Sequence, residues 1–334
     1  MIISKTPYRI SLFGGGSDYP EWYLKNGGIV ISSTINKFIY ISCRKLPAYF
    51  KHKHRIVYSK TELVNDINHI QHSVVRNVLK KFKKEDFFKK YGLEIHYDGD
   101  FPSRSGIGSS SSFVVGFLNL IHNFFNIKIS KKSLADESIY FEQKVLKETV
   151  GSQDQIATSF GGFNEINFFN NGAYKVKPLI TNNKDLIELE SQMILVFSGR
   201  REKMATANNI AGSYVSSLNK KNQRYIFEII KYAEIGKKIL INKNFEEIGP
   251  LLNETWEIKK RLSDCISSQI IDEIYDFGIK SGSTGGKLLG AGGGGFILFF
   301  VPKEKKIKFL RAFKSFVTIE FKFEKKGSEI IFHE

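Results

Sequence analysis

Residues Pro102 to Ser112 read Pro-Ser-Arg-Ser-Gly-Ile-Gly-Ser-Ser-Ser-Ser, and Phe113, Val114, Phe117, Leu120, Ile121 and Phe124 then recur at helical spacing. A glycine and serine loop that opens directly onto an apolar helix constrains the local fold strongly. The serine run must sit at a helix N-terminus, where unpaired N–H groups and the positive end of the helix dipole collect. Glycines at 106 and 108 let the backbone come close to a polyphosphate. Four successive hydroxyls offer hydrogen bonds, or a ligand to a hard cation such as Mg2+. Taken alone, a flexible loop with a capping serine explains the segment as well. No Gly-x-x-x-x-Gly-Lys-[Ser/Thr] occurs in the chain, so the loop is not of the Walker type.

A second glycine run, Gly290-Ala-Gly-Gly-Gly-Gly295, fits the spacing Gly-x-Gly-x-x-Gly. It precedes the apolar stretch Phe296 to Val301 instead of following a strand and opening a helix, which disfavours dinucleotide binding of the Rossmann kind. Two readings stay open: a tight strand-entry turn, or a backbone that approaches the ligand of the first loop. Acids complete the pattern. Asp154 lies in Gly151-Ser-Gln-Asp-Gln155 just past a helix–loop junction, and Glu142 lies on the preceding helix. One acid to balance a cation against polyphosphate charge and one to hold the proton of an attacking hydroxyl is the chemistry of phosphoryl transfer. Near the start, Arg9, a triple-glycine turn and Asp18 combine a group that steadies charge with a carboxylate able to accept from two sugar hydroxyls. Each of these elements also has a plain structural explanation, as a surface acid, a turn or a cap.

The 334 residues are 42% apolar, enough for two ordinary domains. The opening reads as strand over Ile2 to Leu12 and over Ile29 to Cys43; residues 61 to 84 read as helix, Leu93 to Tyr97 as strand, and 131 to 148 as helix with Leu134, Phe141, Val145 and Leu146 inward. A strand at Met193 to Phe197, helices over 202 to 280 and strands at Phe296 to Val301 and near Val317 and Ile330 follow. Cys43 and Cys265 show neither a disulfide framework nor metal-ligand spacing; they read as core thiols of a reducing compartment. No stretch approaches the roughly 20 apolar residues of a membrane span, so the expected location is cytoplasmic. Lys and Arg number 50 against 34 Asp and Glu, a net charge of +16. The excess is scattered and suits anionic small molecules, nucleic acid or a membrane surface.

In order and rough spacing these elements resemble the galactokinase, homoserine kinase, mevalonate kinase and phosphomevalonate kinase superfamily, the GHMP kinases, across essentially the whole chain. The strongest match is Pro-x-x-x-Gly-[Leu/Ile]-Gly-Ser-Ser at 102 to 110, joined by Lys287-Leu-Leu-Gly-Ala-Gly-Gly-Gly-Gly295. The resemblance implies an α+β fold of two domains, expected over residues 1-180 and 181-334. The first would be like the second domain of ribosomal protein S5 and the second ferredoxin-like, with the site between them. It implies ATP and Mg2+ as cofactors. Pro102, Gly106, Ile107, Gly108, Ser109, Ser110 and Ser111 would meet the triphosphate, and Ser109, Ser110 and Glu142 the metal. Asp154 would be the catalytic aspartate, with Arg9 steadying developing charge. Asp18, Gly15, Gly16, Ser17 and Tyr19, with Gly292 and Gly293, would face the substrate.

The opening is similar to that of the sugar kinases, with Arg9 and Asp18-Tyr19 in place, but Gly15 and Gly16 stand where that pattern has Glu-His. The form Gly-Gly-Gly-Ser-Asp-Tyr-Pro resembles the D-glycero-D-manno-heptose 7-phosphate kinases. At about 5 Å and an effective dielectric near 20, a Glu and one phosphate charge repel by roughly 3 kcal/mol. Replacing Glu-His with Gly-Gly removes that repulsion and the bulk. Arg44, Lys45, Arg200, Arg201 and Lys203 are candidates to hold the sugar's phosphate. The resemblance implies a product heptose 1,7-bisphosphate, made for nucleotide-activated heptose and surface polysaccharide. L-fucokinase is the alternative among sugar-1-kinases. The expected partners are a small-molecule sugar phosphate and ATP, with no nucleic acid and no membrane, and a homodimer stays open. An RNA-binding module is the rival of another class; it would leave Glu142 and Asp154 unexplained.

Overall fold

Alternating apolar residues in the first 46 positions build two long antiparallel strands, β1 (Ile2–Phe13) and β2 (Gly28–Leu46), paired from Ile2 opposite Cys43 with register shifts after Pro7 and Ser11. The computed structural model describes residues 1–82, 84–103, 105–199, 207–215 and 220–334. Arg200, Arg201 and Lys203, named above as phosphate ligands, lie outside the described residues.

Strands β3 (His54–Val57), β4 (Thr61–Val64), β5 (Gly92–Gly99), β6 (Phe163–Phe168) and β7 (Tyr174–Ile180) extend the first sheet. β5 and β6 both pair with β2, whose length lets it serve several partners. The helix Ser109–Phe124 lies across β1 and β2. Its Phe117, Leu118, Leu120 and Ile121 are fully buried. At about 1.5–3 kcal/mol for each large apolar side chain, this face anchors the loop that precedes the helix.

The second sheet is antiparallel: β8 (Met193–Phe197), β9 (Gly285–Leu288), β10 (Phe296–Phe300) and β11 (Thr318–Ile319), in the order β11-β8-β10-β9. Phe299 of β10 packs on Phe309 and Phe313 of the helix Lys303–Ala312 and its cap, while Trp256 of the helix Ile248–Lys260 is buried in the same cluster. The chain then leaves this sheet. β12 (Phe323–Glu324) pairs with β2 and β13 (Glu329–His333) with β1, so strands expected with the second half complete the first sheet instead.

Other expectations change locally. Residues 61 to 84 are not one helix: β4 and a short 3-10 turn precede the helix Ser73–Lys81. The Glu62 carboxylate accepts the N–H groups of Gln71 and His72 at 2.5 and 2.9 Å, folding the segment back before a helix can propagate. The helix Lys131–Tyr140 passes into a π-helical turn, Phe141–Val145, that buries Phe141 and Glu142 and leaves Val145 exposed. Cys43 is buried as expected, whereas Cys265 is exposed and not a core thiol.

Candidate active site

A cleft of about 700 Å³ opens where the end of β1, the loop before the helix Ser109–Phe124, residues 149–154 and the second glycine loop converge. Gly106 and Gly108 both take left-handed backbone, with φ of 80° and 77°. The chain can thus turn sharply and enter the helix at Ser109. Pro102, Ser109 and Ser110 line the cleft. Ile107 points the other way and is buried in the core, where its carbonyl accepts the Arg9 N–H at 3.2 Å. Any contact of Ile107 with a phosphate would therefore come from its backbone, since its side chain belongs to the core.

The second glycine loop backs the first. A Cβ on Gly290 would lie 2.6 Å from the Gly106 carbonyl oxygen, and one on Gly106 2.5 Å from that of Leu289. Only glycine permits this backbone-to-backbone approach, and the Phe296 N–H donates to Ser105 O at 3.1 Å alongside it. Gly290 and Ala291 reach the cleft wall. Gly292 and Gly293, expected at the substrate, are turned toward Ile266: the Gly293 N–H donates to Ile266 O at 2.9 Å, and a Cβ on Gly292 would fall 2.7 Å from Ile266 Cα.

Asp154 stands in the first turn of the helix Gln153–Phe160. Arg9, near the middle of β1, grips it with two bonds, Nε to Oδ1 at 2.6 Å and Nη2 to Oδ2 at 2.5 Å. Its Nη1 donates to Gly106 O at 3.0 Å, so one guanidinium joins the acid to the glycine-serine loop. Such forked pairing fixes the orientation of a carboxylate better than a point charge does. Both residues line the cleft.

Asp18 lies beside them, almost wholly buried. Its Oδ1 accepts the Gly16 N–H at 2.9 Å and its Oδ2 the Gln153 N–H at 3.3 Å. Burial pushes its pKa upward, against the pull of those two N–H groups. Gly15, Gly16 and Tyr19 line the same end of the cleft. Ser17 does not: its hydroxyl is committed to the carbonyls of Gly14 and Ile29 and it shapes the turn.

Glu142 is 0% exposed, behind the serine run. Ser111 Oγ donates to its Oε2 at 2.7 Å, Gln155 Nε2 donates to the same oxygen, and Oε1 has no partner among the described residues. Burial, with the nearby charge of Glu148, pushes its pKa up to about 8. A buried acid oxygen with no donor among the described residues, on a carboxylate that already holds the buried Ser111 hydroxyl, fits a hard cation or a proton. Among the described residues no cluster of three or more His, Cys, Asp and Glu side chains offers a rival metal site.

Arg44 and Lys45, expected at the sugar phosphate, are elsewhere. Arg44 bonds Glu94 at 2.6 Å and Lys45 lies over the Tyr91 ring, both outside the cleft lining. Two cations that sequence reasoning passed over line the cleft instead, Lys259 and Lys287. Lys259 donates to the carbonyls of Leu288 and Gly290, and Lys287 to that of Leu12. Lys287 was visible only as the first residue of the second glycine motif.

Residues 69–162 match the GHMP kinases N terminal domain and residues 237–318 the GHMP kinases C terminal family. D-glycero-alpha-D-manno-heptose 7-phosphate kinase of Campylobacter jejuni is 32% identical over 98% of this chain and 97% of its own length. The chain belongs to the GHMP kinases. A bifunctional fucokinase/GDP-fucose pyrophosphorylase of Arabidopsis thaliana is 26% identical over 91% of this GHMP kinase, which spans 30% of that protein. The crystal structure of a D-glycero-D-manno-heptose 1-phosphate kinase from Bacteroides thetaiotaomicron superposes with a TM-score of 0.81 over 100% of both chains, at 24% identity. The two-domain α+β fold is thus that of the GHMP kinases. Among the described residues of this kinase, no helix is long and apolar enough to cross a membrane.

Proposed function

We propose that this chain transfers the γ-phosphoryl group of ATP to the anomeric hydroxyl of D-glycero-D-manno-heptose 7-phosphate, giving the 1,7-bisphosphate and ADP. The observation that carries the reading is the similarity to the Campylobacter jejuni heptose 7-phosphate kinase along almost all of both chains. The glycine pair at 15 and 16 supports it, because it lines the cleft beside Asp18 and leaves room for a long, charged sugar tail.

In this reading the triphosphate lies along Gly106, Gly108 and Ser109 to Ser111, where helix N–H groups meet its charge. Ser109, Ser110 and Glu142 would hold Mg2+, which supplies neutralising charge to the polyphosphate when bound. Asp18 accepts from sugar hydroxyls and sets the sugar's orientation. Asp154 accepts the proton of the anomeric hydroxyl as its oxygen bonds to the γ-phosphorus, and the bond to the bridging oxygen of ADP breaks. Arg9 fixes the direction of the Asp154 carboxylate through its two bonds.

The test is ADP release with heptose 7-phosphate, unphosphorylated heptose, galactose and fucose, with NMR on the product. Turnover confined to the 7-phosphate, with a new phosphate at C1, is the expected result. Preference for a neutral sugar overturns the heptose assignment and favours the second reading, an L-fucose-type 1-kinase, which the Arabidopsis thaliana similarity supports.

A further inference from the structure

Lys287 belongs to β9 of the second sheet, yet its ammonium donates to Leu12 O of β1 at 2.9 Å. The side chain crosses between the two sheets at the floor of the cleft and lines it together with Arg9 and Asp18. It is only 6% exposed. An ammonium has three N–H donors, and Leu12 O is its one hydrogen-bond acceptor among the described residues. A buried cation with unspent donors is costly unless an anion answers it.

The charges that face it do not complete that answer. Arg9, on β1, repels it, and Asp18, in the turn after β1, attracts it without an ion pair between them. The Asp18 oxygens are engaged by backbone N–H groups, and the Arg9 charge is matched by Asp154. Lys259, from the helix Ile248–Lys260, adds a further positive charge on the neighbouring loop. The cleft floor therefore carries more positive than negative charge around an ammonium with donors to spare.

We propose that Lys287 is an anion-contacting residue of this site, whose remaining N–H groups take a phosphate-class oxygen of the bound ligand between Arg9 and Asp18. The proposal rests on the kinase reading above, and the oxygen can come from the nucleotide or from the sugar phosphate. A linked property follows. Burial, with Arg9, holds the Lys287 pKa down at about 7. Near neutrality the free site is a mixture of ammonium and amine, and a bound anion favours the ammonium. Binding above pH 7 then takes up a proton, and affinity falls by roughly tenfold as pH rises from 6.5 to 8.5.

The full chain is titrated calorimetrically with the β,γ-imido analogue of ATP, and separately with the sugar that supports turnover, in two buffers of different ionisation enthalpy at pH 7.5. Wild type is compared with Lys287→Arg and Lys287→Met. Proton uptake is expected in wild type and lost in Lys287→Arg, whose guanidinium stays charged and holds affinity within about threefold. Lys287→Met is expected to bind roughly 10- to 100-fold more weakly. An effect with the nucleotide analogue assigns the contact to a nucleotide oxygen; an effect with the sugar phosphate assigns it to the sugar. Equal proton uptake in wild type and Lys287→Arg with both ligands overturns the proposal, as does unchanged affinity of Lys287→Met for both. Should Lys287→Met not fold, the comparison with Lys287→Arg decides alone. Failure of the heptose assignment is read separately, from which sugar turns over, and leaves the nucleotide arm intact.

Discussion

Arg9 and Asp154 are 145 positions apart in the chain and meet through two parallel hydrogen bonds of 2.6 and 2.5 Å. The pair ties the middle of β1 to the first turn of a helix, and through Gly106 O to the glycine-serine loop. The acid, its clamp and the glycine-serine loop are thus joined by one guanidinium.

Asp154→Asn keeps the shape of the side chain and removes the carboxylate proposed to accept the proton. It is expected to lower kcat by roughly 10²- to 10⁴-fold while nucleotide affinity changes less than a few-fold. Single-turnover kinetics and a nucleotide-binding titration check both halves. Near-normal turnover would remove Asp154 from the reaction.

Glu142 sets a pH dependence. Its folded pKa is raised to about 8 from about 4.5, so across that window the folded state holds a proton that the unfolded state has lost. Stability contributed by this group is present below the window and declines as pH rises through it, by something on the order of 5 kcal/mol. Asp18 and Glu148 shift in the same direction and form a background common to both proteins in a comparison. Without added metal, the thermal midpoint of wild type should fall more steeply from pH 5.5 to 8 than that of Glu142→Gln. Added Mg2+ should narrow the difference for wild type alone, since a carboxylate binds the ion and an amide does not. Identical slopes would show that Glu142 does not titrate in this range.

Gly151 guards Asp18. A Cβ at position 151 would lie 1.9 Å from Asp18 Oδ2, so Gly151→Ala must displace that carboxylate. The expected outcome is a rise of roughly tenfold or more in the sugar KM, with the nucleotide KM nearly unchanged. A parallel rise in both constants would mean that Asp18 supports the cleft as a whole and does not read the sugar.

Local chemistry made part of this site legible in the sequence. The glycines and serines of 105 to 112 and the helix behind them obey rules set by near neighbours, and the helix Ser109–Phe124 begins where the pattern places it. Asp18 and Asp154 stand out as acids near turns, and Glu142 as an acid on the helix before Asp154. What the sequence hides is tertiary direction. Nothing near Arg9 announces Asp154 as its partner, and nothing near Lys287 says that its side chain leaves its own sheet for Leu12. Ser17 illustrates the reverse: its setting beside Asp18 suggests a ligand contact, and its hydroxyl is consumed by two carbonyls. The failed helix over 61 to 84 has the same origin, because the Val74, Val75, Val78 and Leu79 pattern is real but Glu62 fixes a fold-back before it.

The return of β12 and β13 to the first sheet orders events on the ribosome. His333 lies opposite Ile2, so β1 waits for a partner made some three hundred residues later. Through most of synthesis the nascent β1 carries an unpaired row of backbone groups at Ile2 to Lys5, the kind of edge on which other chains add. Contacts so distant in sequence form slowly. The sheet that β1 belongs to is therefore completed only when β13 is made, and a chain stalled before residue 329 leaves it open on that side.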